Sequence, residues 1–259
     1  MSYHRLKEAL AGAESLAESY TSSLVVPTHR ESQLRTDEAA GGVASCFNVA
    51  SAALVVALDH LSTWNETVRQ GSVAVYANYS LARPAYECAL RVLWLLDPAA
   101  RPVTRIARGY AAQLDSLRWM KKFQESVGMT DGNASALYDR LLKAACREGL
   151  TVKDAKGNEH LSESVPSVVT LFETYDRPTG DLKAGWIYRF LSGHSHGFEW
   201  AAMRGAELSF SEAGMDLNKV LVDMNELIPM ADRTVSAVAR AVTSHINYRL
   251  KAHTEVRSH

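Results

Sequence analysis

Residues 43–70, VASCFNVASAALVVALDHLSTWNETVRQ, decide the fold. Val43, Phe47, Ala50, Leu54, Ala57, Leu61 and Trp64 recur there at alternating steps of four and three. That period gathers them on one stripe of an α-helix, which must be buried against other elements. The same period continues on both sides. Gly71-Ser72 ends the first helix, and Ser72 is suited to cap a second over 73–96. Pro84 lies inside that second helix and frees the carbonyl of Ser80, which predicts a kink. Asp97-Pro98 closes it. Helices follow over 103–127, up to Gly128, and over 134–148. On the other side, residues 3–26 read as a helix stopped by Pro27, and 28–42 as a loop or short helix.

Further along, 149–164 is polar and carries Lys156-Gly157-Asn158, a turn signal. It is the only stretch where short strands are expected. A short helix over 165–175 leads into the loop Asp176–Gly180. Residues 206–214 read as irregular. Asp216 is suited to cap a last helix running to about 250, bent at Pro229 by release of the Asn225 carbonyl. The chain shows no internal repeat and no linker. The expected fold is all-α, a single-domain helical bundle over 1–259 with one short hairpin in 149–164. Within it, 1–42 forms an N-terminal helix and loop, 43–250 the bundle, and 251–259 a frayed tail.

Bulk properties narrow the function classes. With 259 residues and 47% hydrophobic content the chain can bury a large core. Lys+Arg 28 against Asp+Glu 29 leaves no overall basic field for nucleic acid, so any such contact is local. Cys46, Cys88 and Cys146 are scattered and odd in number, which fits reduced thiols in the cytoplasm. No apolar segment follows the charged N-terminus, and the longest apolar run, Val49 to Leu58, is too short to span a bilayer. No membrane role is expected.

Chemistry concentrates in one place, 186–197, WIYRFLSGHSHG. Arg189, His194 and His196 supply a fixed fork of donors and two groups that exchange protons near neutral pH. Two backbone arrangements suit the stretch. On a continuous helix Arg189 and His196, seven apart, share a face. Alternatively Ser192 caps a new helix at Gly193 and sets both histidines in a first turn that favours an anion. Set against both is a bland reading in which a buried histidine satisfies a carbonyl. A zinc reading ranks lower, because helical His-x-His points its rings apart and Glu199 is the nearest carboxylate. No metal and no cofactor are expected.

A second constellation, Arg83, Glu87 and Arg91, runs at i, i+4, i+8 on the 73–96 helix. Exposed, it is an ion-pair ladder of about 0.3–0.5 kcal/mol per pair. On a buried helix the same charges must be paired or line a cleft, with Glu87 orienting an Arg or His of 189–196. The most basic stretch, Arg101, Arg105 and Arg108 with Arg118, Lys121 and Lys122, reads as a solvated face more readily than as a polyanion site. Asp59-His60 and His245 read as surface or core-edge groups. Tyr76, Tyr79, Tyr86 and Trp186 read as core.

Arg189-Phe-Leu-Ser-Gly-His194, late in an all-α chain, resembles the Arg-x4-6-His signature of HEPN domains, helical domains of many bacterial toxins and antiphage proteins. The wider pattern, Tyr188-Arg189-x-Leu191-Ser192 followed by His194 or His196, together with Ser80–Arg91, is similar to a bacterial branch of that family. The resemblance implies metal-independent RNA cleavage by a homodimer whose two motifs meet. Carried over, Arg189 steadies the phosphate. His194 or His196 moves protons at the ribose 2′-hydroxyl and the leaving oxygen. Tyr188, Ser192, Arg83, Glu87 and Arg91 support them. Phe190 departs from the pattern, since active members usually carry a polar residue after the Arg. The crowd of Trp186, Phe190, Phe198 and Trp200 points to a dimer interface over 186–200. The rival reading is a non-catalytic helical module that binds a nucleotide, a protein partner or an antitoxin in a defence or regulatory system. A third is a metal-dependent hydrolase using both histidines.

Overall fold

In a computed structural model, the described residues are 2–40, 44–71, 76–129, 133–157, 159–176, 186–196, 206–207, 210–211, 214–215, 221–222 and 224–252. Ser72, the loop after Asp176, Gly197, Phe198, Glu199, Trp200, Asp216 and the 253–259 tail lie outside them, as do the side chains of Trp186 and His194.

Helix dominates the chain. The order is α1 (Ser2–Leu10), α2 (Gly12–Leu24), α3 (Gln33–Ala40), α4 (Ala44–Arg69), α5 (Ala77–Leu95), α6 (Pro102–Ser126) and α7 (Ala134–Arg147). Then come β1 (Thr151–Lys153), β2 (Glu159–Leu161), α8 (Val168–Tyr175) and α9 (Trp186–Ser195). The strands β3 (Ala206–Glu207), β4 (Phe210–Ser211), β5 (Gly214–Met215) and β6 (Leu221–Val222) precede α10 (Met224–Leu250). The apolar stripe of α4 is buried: Ala50, Leu54, Ala57, Leu61 and Trp64 are each 0% exposed.

The hairpin expected in 149–164 is present. Thr151 pairs with Leu161 and Lys153 with Glu159, antiparallel. At its tip Gly157 takes φ +81°, a conformation that favours glycine. Asp154 holds the turn, its carboxylate accepting from the Lys156 N–H at 2.8 Å and its carbonyl from the Gly157 N–H at 2.9 Å.

Three expectations need correction. The 3–26 helix is two helices, because the Ala11 N–H turns back only three residues, to the Glu8 carbonyl at 3.2 Å. Strands are not confined to 149–164: β3 pairs with β6 and β4 with β5, both antiparallel. Ladders of two residues are too short to carry a readable alternation. The last helix begins at Met224, not near 216, which places Pro229 in its second turn.

The contacts resolve into two compact units. The first comprises Met1–Val26, Ala53–Trp94 and Ser167–Thr243, the second Pro27–Ala52, Leu95–Pro166 and Ser244–His259. In the first, α9 packs on α8 and α2 on α1. Buried in it, Asp176 accepts from the Tyr86 hydroxyl and pairs with Arg233 at 2.9 Å. In the second, α6 packs against α3 and α7. Its interior holds Arg105, which clasps Asp37 with two donors at 2.8 and 2.6 Å. The Tyr248 hydroxyl donates to the same carboxylate. Arg105 is therefore a core cation and no part of a solvated basic face.

His245 is likewise interior, 1% exposed, stacked on Phe47 with ring centroids 4.6 Å apart. Ser51 donates to the Phe47 carbonyl at 2.8 Å, so His245 Nε2–H is the donor in the 2.8 Å bond to Ser51 Oγ. Burial, with the Arg249 charge, pushes the His245 pKa down to about 4. The unfolded chain thus takes up a proton near pH 6.5 that the native state refuses. Stability is expected to fall by a few kcal/mol as the pH drops from about 6.5 to about 4, then to level off. His245→Gln removes that dependence; urea midpoints at pH 7.5 and 5 read the difference.

By length and composition Cys46–Arg69 is long and apolar enough to cross a membrane, with 33% of its most apolar window buried. Asp59 and Glu66 lie on its exposed side, where a bilayer would set carboxylates in or near hydrocarbon. Cys46, Cys88 and Cys146 are free thiols.

Candidate functional site

Helix α9 runs unbroken through Gly193 to Ser195, and the His196 N–H still bonds back to the Ser192 carbonyl at 3.0 Å. A new helix capped by Ser192 is thereby excluded, and with it an anion site at a helix start beside the histidines. A glycine inside a helix costs about 1 kcal/mol. The face bearing Ile187, Phe190 and Leu191, all essentially buried, offsets that cost by packing.

Aromatic rings set α9 against α5. Phe190 meets Tyr79 edge-on at 5.3 Å between centroids. Phe172 of α8 touches both Tyr86, at 4.8 Å, and Tyr188, at 5.7 Å. These contacts bury one side of α9 and turn Tyr188, Arg189, Ser192 and His196 toward the other. Phe190 is 2% exposed within its own chain, so it does not belong to the aromatic surface expected to meet a second copy.

On that other side Arg83 of α5 is the hub. Its Nε donates to Glu87 Oε1 at 2.7 Å. Its guanidinium lies over the Tyr188 ring, 5.6 Å from the centroid. Its Nη1 reaches His196 Nε2 at 3.3 Å. Arginine has no lone pair to offer, so Nε2 accepts, and this contact belongs to the neutral imidazole with its proton on Nδ1. Arg83 and Glu87 are only 20% and 25% exposed at their side chains, so this pair is largely buried and not a solvated ladder.

The sequence suggests that Glu87 orients an Arg or a His of 189–196. The structure inserts Arg83 between them. Arg91, one turn further on and half-buried, bears electrostatically on the Cys88 thiol, whose pKa burial raises. Arg189 is exposed and stands two turns from His196, about 10 Å along the helix axis. Ser192 is half-buried on α9, and the backbone of His194 lies in the same helix. One chain thus joins Arg83, Glu87, Tyr188 and His196 and leaves Arg189 outside that cluster.

Two buried networks escaped the sequence reading, Asp37–Arg105–Tyr248 and Tyr86–Asp176–Arg233. Both join residues far apart in the chain, so no local spacing announces them. Among the described residues, no three of His, Cys, Asp and Glu gather closely enough to hold a metal ion. No family model matches the chain, and no curated protein or solved structure matches it.

Proposed function

We propose that the chain is a HEPN-like endoribonuclease that works without a metal, in a bacterial toxin or antiphage-defence setting in the cytoplasm. It acts as a homodimer that draws the two 186–200 segments together. The observation that carries this reading is the Arg83–His196 contact, which sets a fixed guanidinium against an imidazole, with the exposed Arg189 two turns away on the same helical face. Such a pair suits a phosphodiester. The arginines hold the nonbridging oxygens, where charge grows in the transition state. One histidine takes the proton of the ribose 2′-hydroxyl as its oxygen attacks phosphorus. The bond from phosphorus to the 5′-oxygen breaks, and another histidine, His194 or a motif histidine of the second copy, returns a proton to that oxygen. Glu87 keeps Arg83 in place.

A second reading has its own support. Phe190, at the position after Arg189, is packed on Tyr79 and offers nothing polar to a substrate. That favours a helical module that binds a nucleotide or a protein partner without cutting. The test is incubation of the purified protein with single-stranded RNA, with and without EDTA. Cleavage at equal rates in both is the expected result. Cleavage only without EDTA supports the metal-dependent hydrolase, and RNA bound but intact supports the binding module.

A further inference from the structure

The last two turns of α6 and the residues just past its end carry apolar side chains that their own unit leaves in water. Trp119 is 63% exposed, Phe123 62%, Val127 53%, Met129 55% and Met120 38%. Trp119, Phe123 and Val127 stand at i, i+4 and i+8 and form one ridge along the helix. At 100° per residue the ridge is centred about 100° away from Gln124, the last residue of α6 that is buried. Packing on α3 and α7 therefore does not account for it. Together these side chains leave roughly 500 Å² of apolar surface exposed, at the upper end of what a monomer carries.

The charges around the ridge decide what covers it. Arg118 faces Asp115 at 3.5 Å and Lys121 faces Glu125 at 4.0 Å. Lys122 lies over the Trp119 ring, 4.5 Å from its centroid. These cations are largely matched by carboxylates of the same helix, and the chain as a whole carries −1. A nucleic acid or an anionic bilayer draws its affinity from unmatched cations. Two methionines and a valine also have no use as stacking platforms for bases. The surface fits another uncharged helix ridge.

The ridge fits its own copy. Size falls from Trp119 on one side of Phe123 to Val127 on the other. A two-fold axis through Phe123 sets Trp119 against the partner's Val127, large against small, and repeats the contact in reverse, as a two-fold interface requires. With Met120 and Met129 at the flanks, two such surfaces offer roughly 1,000 Å² to bury, the threshold of a specific interface. We propose that a second copy of the chain docks antiparallel on α6, with Phe123 on the two-fold axis. This contact is separate from the meeting of 186–200 segments proposed above and does not depend on nuclease activity.

Phe123→Cys tests it directly. Facing helices bring such an axial pair within disulfide reach, so mild oxidation with diamide should join two chains. Lys121→Cys, on the opposite side of α6, and the wild-type chain with its three native thiols should not cross-link under the same conditions. Phe123→Glu buries two carboxylates at one axis and should raise the dissociation constant of the assembly by roughly 100-fold or more in sedimentation, with helix content unchanged. Cross-linking of Phe123→Cys no faster than Lys121→Cys would overturn the proposal. So would wild type and Phe123→Glu of equal mass at every concentration. Binding to phosphatidylglycerol vesicles or to poly(U) that Phe123→Glu abolishes, without any change of mass, would assign the ridge to lipid or RNA instead. The cross-link reads the α6 contact whether or not the 186–200 segments also meet.

Discussion

Asp37→Ala is expected to destabilise the protein by about 3–5 kcal/mol, a large share of the 5–15 kcal/mol that holds a typical domain together. The reason is what remains behind. Arg105 is 0% exposed and directs two donors at Asp37. Without the carboxylate its charge stays buried with only neutral acceptors facing it, among them the carbonyls of Asp97 and Ala100 and the side-chain oxygen of Gln33. The Tyr248 hydroxyl loses its acceptor as well. Removing both charges together, as in Asp37→Leu/Arg105→Met, should restore most of the loss, because no uncompensated ion is left. Urea unfolding of the three proteins measures it. A loss under about 1 kcal/mol for Asp37→Ala would mean that water reaches the pair, as at an ordinary surface ion pair.

The second large effect is the one that the proposed nuclease reading expects. Arg189→Ala and His196→Ala should each lower the rate of RNA cleavage by about 10²–10⁴, the range for removal of a positioned proton-transfer or charge-stabilising group. Circular dichroism should be unchanged, since both side chains are exposed. The unbroken course of α9 orders the two histidines. His196 shares a helical face with Arg189 and touches Arg83, so its loss should cost more than that of His194. Arg83→Lys keeps the charge but not the fork that reaches Glu87 and His196 at once. It should therefore fall between wild type and Arg83→Ala. Equal rates for His194→Ala and His196→Ala would contradict the roles drawn from this geometry.

Most of the helices were legible because their apolar period is long and regular. Residues 43–70 offered seven stripe positions over six turns, and those described are buried apart from the half-buried Phe47. The 149–164 hairpin announced itself through Lys156-Gly157-Asn158. The break at Ala11 did not, because alanine is the best helix former and a three-residue bond leaves no trace in composition. The two-residue strands of 206–222 are held by pairing alone and have no pattern to read. At the candidate site, residue types were legible and partnership was not. Arg83 and His196 are 113 positions apart, and the packing of Tyr79, Phe190, Phe172 and Tyr188 helps bring them together. Phe190 shows the converse. Its sequence position marks it as a departure from the motif that the segment resembles, while its burial gives it a structural task.

The measurement that bears most directly on the nuclease reading uses a short single-stranded RNA and its twin with 2′-deoxy sugars throughout, both in EDTA. The account predicts that the RNA is cut to fragments ending in a 2′,3′-cyclic phosphate and beginning with a 5′-hydroxyl, and that the deoxy twin stays intact, because the attacking oxygen is the substrate's own. Cleavage of the deoxy twin, fragments that begin with a 5′-phosphate, or an RNA left whole at every protein concentration would contradict it.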